Sequence, residues 1–372
     1  MKLRIFTLIL LVILSSCKEA IKSDVQVFKS TDLNNANTVL LEAVMEDAFT
    51  PPVASRMYVY AHLAHYITLQ SLRSDSLQMI RSKVSGLEDF KLPESQEVNP
   101  ELSALLAFSN TGKKLIYSEY YFEDLADNLK AKAIRLGLSE NVINNSEKYA
   151  SEISKLLSTW IDKDMYIETR TYPRFTSTKN SENWRETPPD YLSGLEPYWD
   201  NIRTMVIDSA NVFAYKPLPD YSIEKDSDFY KMVYEVYQES KNTTLEKEKI
   251  AWFWDCNPIM TIHKGHMTTT IHKFTPPGHW LNIINQISTN ENSDYYKTTK
   301  AYTMTSMAMF DAIIAAWHVK YKTDLVRPVT YIQENIDTEW TPVLQTPPFP
   351  EYTSGHSVVS GAASIVLTSI FG

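Results

Sequence analysis

Glycine is scarce, with 9 in 372 residues, about 2.4% where roughly 7% is usual. Parallel α/β folds and β-sandwiches use glycine at phosphate loops, tight turns and bulges, and this chain has few to place. Cysteine is scarcer still: Cys17 and Cys256 are too few for a disulfide framework. Basic runs of five or more residues are missing. The formal charge of −9 becomes −11 once Lys2 and Arg4 leave with the leader described below, so the body offers no electrostatic footprint for nucleic acid.

What is present narrows the choice from the other side. With 44% hydrophobic and 22% charged residues, a sizeable core is possible and wholesale disorder is excluded. A length of 372 residues suits two domains. Eighteen prolines and 22 tyrosines fit long helices joined by proline-punctuated loops.

The N-terminus reads as an address. Met1 to Arg4 is a short basic start, and Ile5 to Leu14 is apolar apart from Thr7. That stretch falls short of the ~20 residues a spanning helix needs and has the pattern of a secretory signal. It ends Leu14-Ser15-Ser16-Cys17, which resembles the lipobox of bacterial lipoprotein signals. The resemblance implies lipidation at Cys17, with two or more acyl chains for stable membrane anchoring. Lys18 resembles the residue found there in proteins sent to the outer membrane. Residues 1–16 are thus expected to be a signal peptide and 17–48 a polar tether. The protein is expected to be an exported lipoprotein, facing the periplasm or the outside.

Helical periodicity runs through the rest. The spacing predicts helices over Ala54–Leu72, Pro100–Ala107, Glu119–Leu136, Asn141–Lys163, Ser227–Ser240, Leu245–Trp254, His279–Ile287, Asp294–Trp317 and Ser357–Phe371. No alternating run is long enough to argue for a sheet, and no repeat is apparent. Residues 164–226 form an aromatic, proline-rich connection, too apolar for a flexible linker and expected to pack over the helices. The expected fold is all-α, two packed helical layers, with an N-terminal region over 49–226 and a second domain over 227–372.

His263, His266 and His272 follow Cys256, but without the tight ligand pairs of structural zinc sites; the reading is surface and loop histidines. The C-terminal third carries more. Lys320 closes a helix, and Arg327 precedes Pro328, which should hold the arginine in extended backbone. Then Ser354-Gly355-His356 opens an apolar helix. There a hydroxyl, a backbone N–H and an imidazole face one way, at a helix end that favours negative charge. Lys320 and Arg327 add fixed positive charge, the arginine able to grip two oxygens at once. Together these residues form an inventory for a tetrahedral or trigonal-bipyramidal oxyanion.

Lys320-x6-Arg327-Pro328 followed by Ser354-Gly355-His356 resembles two of three signatures of the vanadium-dependent haloperoxidase and type 2 phosphatidic acid phosphatase superfamily. Asp311-Ala312, Trp317, Phe349, the segment Thr275 to Trp280, and Trp254-Asp255 resemble its chloroperoxidase-like branch. The resemblance implies two helical bundles of the vanadium chloroperoxidase/acid phosphatase type. It implies that Lys320 and Arg327 hold equatorial oxygens of vanadate or phosphate, with Ser354 and the Gly355 N–H assisting. His356 is implied as the acid–base group, Asp255 as its orienting partner, and Trp317 and Phe349 as the halide side of the pocket. Thr353 departs from the proline usual before Ser-Gly-His. The third signature, Ser-Arg-x5-His-x3-Asp, does not occur in the sequence, so no direct vanadium-ligating histidine is identified. The second bundle is expected to be incomplete and this chain inactive as it stands.

If the chain is a haloperoxidase, the cofactor is vanadate and the small-molecule substrates are halide and peroxide. If it is a phosphatase, no cofactor is needed, the substrate is a phosphate monoester, and the missing histidine would form a phosphohistidine. A non-catalytic helical surface lipoprotein is the third reading.

Overall fold

Caps decide where most helices begin. In the computed structural model, which describes residues 22–372 except 89, 95, 179 and 259, the chain runs α1 (Ser30–Glu46), α2 (Pro51–Leu72), α3 (Pro100–Leu115), α4 (Tyr120–Arg135), α5 (Glu140–Ile161) and the short α6 (Tyr166–Thr169). It continues through α7 (Asp228–Lys241), α8 (Leu245–Trp254), strands β1 (Met260–Lys264) and β2 (Met267–Ile271), α9 (Pro276–Asn290), α10 (Tyr295–Thr323), α11 (Pro328–Asn335) and α12 (Gly355–Phe371). The side chains of Asn99, Ser139, Ser227, Thr244, Thr275, Asp294 and Ser354 each accept a first-turn N–H. Such caps are worth about 1 kcal/mol apiece.

Two helices organise the core. α2 is buried along nearly its whole length, because α1, α3, α5 and α10 all pack on it. α10, 29 residues and so about 44 Å long, continues past α2 to meet α9 and α12. One hydrophobic core joins α1–α5 to α9, α10 and α12, so the two expected layers share their interior. A smaller core of Phe229, Val233, Val329, Tyr331 and Trp340 lies under α7 and α11.

Polar groups inside α2 are paired rather than reactive. His62 Nε2 lies 3.0 Å from Asn37 Oδ1 and its ring stacks on Tyr302 at 4.7 Å. His65 Nε2 lies 2.9 Å from the Tyr295 hydroxyl. Burial pushes both imidazoles down, His65 to about 3, so both are neutral.

The connection over 164–226 packs on the helices as its apolar content predicts, with Trp184 and Trp199 fully buried. Its anchor is Asp311 on α10, whose carboxylate accepts the N–H groups of Met205, Val206 and Ile207 at 2.6–3.1 Å.

Two expectations need correction. Residues 17–48 are not simply a polar tether, because α1 occupies Ser30–Glu46 and buries Leu33, Ala36, Leu40, Leu41 and Val44; the apolar residues recur at helical spacing among many asparagines, which masked the stripe. A sheet element also exists, the antiparallel hairpin β1–β2. Gly265, with φ +58°, takes the first position of its two-residue turn, where only glycine is at ease. The sequence around it is rich in threonine and isoleucine, which was the available signal. Cys17 and the expected signal peptide lie outside the described residues. Among those described, no helix is long and apolar enough to cross a membrane.

Candidate functional site

The lower end of α10 turns sharply to bring two cations together. Asp324 caps it in the left-handed region at φ +47°, a conformation aspartate tolerates, and its N–H returns to the Lys320 carbonyl. Three residues later Arg327 is extended, with φ −77° and ψ 146°, as its place before Pro328 requires. The loop ahead of α12 then wraps both side chains. Lys320 Nζ donates to the Pro350 and Glu351 carbonyls at 3.0 Å each. Arg327 Nε donates to the Phe349 carbonyl and Nη1 to Glu351 Oε2, both at 2.6 Å.

Both cations also lie over the Phe349 ring, at 4.8 Å for Lys320 and 4.7 Å for Arg327. Phe349 in turn meets Trp317 with ring centroids 5.2 Å apart. Trp317 is fixed by its indole N–H on the Leu195 carbonyl, 3.1 Å away, and the Tyr321 hydroxyl donates to that same carbonyl. The buried connection therefore forms one wall.

These residues line a cavity of about 350 Å3, with Trp317, Lys320, Arg327, Phe349, Ser354, Gly355, His356 and Asp255 all on its surface. Every site residue inferred from the sequence, apart from the lipidation cysteine, is thus brought to one place. Ser354 Oγ caps α12 by accepting the Ser357 N–H, which leaves its own O–H free to donate. Gly355 opens the helix, so its N–H has no intrahelical acceptor. A side chain there would meet only Trp317 Cζ3, at an ordinary 3.7 Å; the space beyond it is cavity.

The electrostatics favour an anion. Burial pulls the Lys320 ammonium from 10.5 down to about 7, with Arg327 adding to the effect and Glu351 opposing it. Arg327 Nη2 is buried and finds no hydrogen-bond acceptor among the described residues. A guanidinium N–H left without an acceptor costs of the order of 1–3 kcal/mol, a cost that a bound oxyanion would remove.

Asp255 departs from its expected role. Its carboxylate pairs with Lys273 Nζ at 2.5 Å, and the direct partner of His356 Nε2 is the Trp254 carbonyl at 3.1 Å. A carbonyl only accepts, so Nε2 carries the proton and Nδ1 is the basic nitrogen of the neutral ring. The pocket walls desolvate the His356 imidazole and lower it below the usual histidine range. The Trp254 carbonyl and the Asp255 charge oppose that fall, and Lys320 reinforces it. Asp255 therefore acts on His356 through its field, not through a hydrogen bond.

Sequence reasoning missed three neighbours. Glu351 sits on Arg327; its acidic letter in a proline-rich loop carried no periodic signal. Cys256 lines the cavity, with Sγ 3.3 Å from His279 Nδ1, and burial pushes its thiol up to about 12. His279 stacks on Trp254 at 4.7 Å, which is the structural use of the Thr275-to-Trp280 segment. Gly278 in that segment is needed for packing, since a Cβ would fall 2.7 Å from the Tyr58 hydroxyl. Among the described residues no three His, Cys, Asp or Glu side chains are grouped to hold a metal ion, and His263, on the hairpin, pairs with Asp190 at 2.8 Å.

The family model described as the VCPO second helical-bundle domain matches residues 300–372, the span from α10 to α12. Among solved structures, the chain is similar to the first bacterial vanadium-dependent iodoperoxidase, at 39% identity and TM-score 0.86, covering 95% of this chain and 83% of that one. It is similar in fold to a bacterial vanadium-dependent chloroperoxidase in its holo form, at 16% identity and TM-score 0.56, with 94% and 83% covered. The apo form of a bacterial chloroperoxidase gives a TM-score of 0.52 at 16% identity. No curated protein matches.

Proposed function

The chain belongs to the vanadium-dependent haloperoxidase family, and from that premise we propose that its cavity binds vanadate and serves the oxidation of a halide by peroxide. The observation that carries the proposal is a pair of buried cations with too few acceptors. Arg327 Nη2 has none among the described residues, and the three N–H bonds of Lys320 meet two carbonyls. That donor set, with the Ser354 hydroxyl and the Gly355 N–H, fits a compact oxyanion.

Vanadate, when bound, would supply a Lewis-acid centre able to activate peroxide. The chain's own residues supply the rest. Lys320 and Arg327 would hold the anion's oxygens and neutralise charge on them. His356 would accept or return a proton at Nδ1 while the Trp254 carbonyl holds Nε2–H. Trp317 and Phe349 form an apolar wall suited to a large, weakly hydrated halide. The relative with 39% identity is named an iodoperoxidase, which supports iodide as the halide. A tether at Cys17 to the outer membrane belongs to the same proposal.

The third signature is not among these 372 residues. We therefore expect oxyanion binding from this chain and turnover from a chain that also carries Ser-Arg-x5-His-x3-Asp. The test is to supply such a chain with vanadate, peroxide and iodide, and to measure triiodide. Release of nitrophenol from nitrophenyl phosphate with no iodide oxidation would replace the peroxidase reading by the phosphatase one.

A further inference from the structure

Glu351 is placed where an oxyanion would compete with it. Its Oε2 takes Arg327 Nη1 at 2.6 Å, and it lines the same cavity as Ser354, Gly355 and His356. The other carboxylate of that cavity, Asp255, is neutralised by Lys273. Arg327 Nε is committed to the Phe349 carbonyl. A bidentate grip on an oxyanion must therefore use Nη1 and Nη2, and Nη1 is held by Glu351. The main chain of Glu351 is pinned, its N–H on the Leu325 carbonyl at 3.0 Å and its carbonyl on Lys320. Its side chain is less confined, at 37% exposure, so a rotation toward solvent would release Nη1 without moving the loop.

We infer that Glu351 is an internal counter-anion. Its carboxylate occupies Arg327 while the oxyanion is absent, and yields or shares Nη1 when the oxyanion arrives. The inference rests on the oxyanion reading above and deepens it: Glu351 is a positioning residue that sets how tightly the site holds its ligand. Pairing with the carboxylate keeps the guanidinium oriented in the empty cavity. The same negative charge, on the wall of that cavity and partly out of water, opposes a bound anion.

The sign of the effect separates this role from a structural one, because loss of a support weakens binding and loss of a competitor strengthens it. Calorimetric titration of the 372-residue protein with inorganic phosphate and with orthovanadate measures it. Glu351→Gln is expected to bind both about tenfold more tightly, equal to about 1.4 kcal/mol. Glu351→Asp keeps the charge and should stay near wild type. Glu351→Ala should tighten binding as Gln does, which keeps the question open to measurement if one variant folds poorly by thermal unfolding. Arg327→Ala should lose binding with either residue at 351. Folded Glu351→Gln and Glu351→Ala proteins that bind no tighter than wild type would overturn the inference while leaving the oxyanion site intact. Failure of the wild type and all Glu351 variants to bind either anion would overturn both.

Discussion

Two buried clusters of positive charge divide this molecule by purpose. In the first, Arg56 Nε meets Asp164 Oδ2 at 2.6 Å, and both side chains are almost wholly enclosed. The Tyr60 hydroxyl and the Tyr166 N–H also donate to that carboxylate, and the guanidinium lies over the rings of Tyr60 and Tyr166. In the second, Arg327 pairs with the partly exposed Glu351 carboxylate, Lys320 meets only main-chain carbonyls among the described residues, and Arg327 Nη2 has no acceptor among them. The first charge is matched within the fold and holds α2 to the start of the connection. The second is under-matched, and the cavity beside it is the place for the missing negative charge.

The comparison can be broken at either end. Asp164→Ala should be the most damaging substitution, because it strands a buried guanidinium; a loss of about 3–5 kcal/mol is expected. Urea unfolding checks this, and oxyanion affinity of the folded fraction should be unaffected. Lys320→Met should do the opposite: it removes a desolvated ammonium and should stabilise the empty protein, less what the Pro350 and Glu351 carbonyls lose with their donor, while removing the oxyanion site. Lys320 lies at about 7 in the folded protein against an ordinary 10.5. Its cost to stability is therefore greatest below pH 7 and fades as pH rises through the unfolded value. The gain in Tm from Lys320→Met should accordingly shrink from about pH 6 toward about pH 10.

Smaller effects sharpen the contrast. Sulfate keeps a single charge state through the neutral range, so its affinity reports only the protein. Below about 7 Lys320 is already an ammonium; above that value binding must take up a proton. Sulfate affinity should then fall as pH rises above 7, by at most about tenfold per pH unit. His356, held below the ordinary histidine range, is neutral in that window. Calorimetry in two buffers of different ionisation heat should find close to one proton taken up per sulfate at about pH 8.5; none at all would contradict the placement of Lys320. Phe349→Leu removes the ring beneath both cations and should weaken sulfate by about 0.5–1 kcal/mol, measured in the same titration.

Much of this was legible in the sequence, for definable reasons. The helices over α2, α4, α5, α7, α8 and α10 were visible because apolar residues recur at helical spacing, and capping side chains stand at the starts of α5, α7, α8 and α10. The site was visible because Arg327-Pro328 and Ser354-Gly355-His356 each impose a local geometry that survives folding. α1 was hidden because its buried face includes Asp32, Asn34 and Asn37, which read as polar leader until Ser288, His62 and Tyr302 appear as their partners. The roles of Glu351 and Trp254 were not legible either. One acts through a side-chain pairing across 24 positions, the other through a main-chain carbonyl, which any residue type would supply. Asp255 was assigned by adjacency in a motif, and its ion pair with Lys273 depends on where the strand after Gly265 returns.

The central claim is that the under-matched cations exist to hold an oxyanion. Titrating the 372-residue protein with orthovanadate, beside Arg327→Ala, tests it most directly. One vanadate per chain is expected for the wild type and at least about a hundredfold weaker binding for the variant, about 2.7 kcal/mol, with thermal stability retained. Equal affinities in the two proteins, or no binding by a folded wild type, would contradict it.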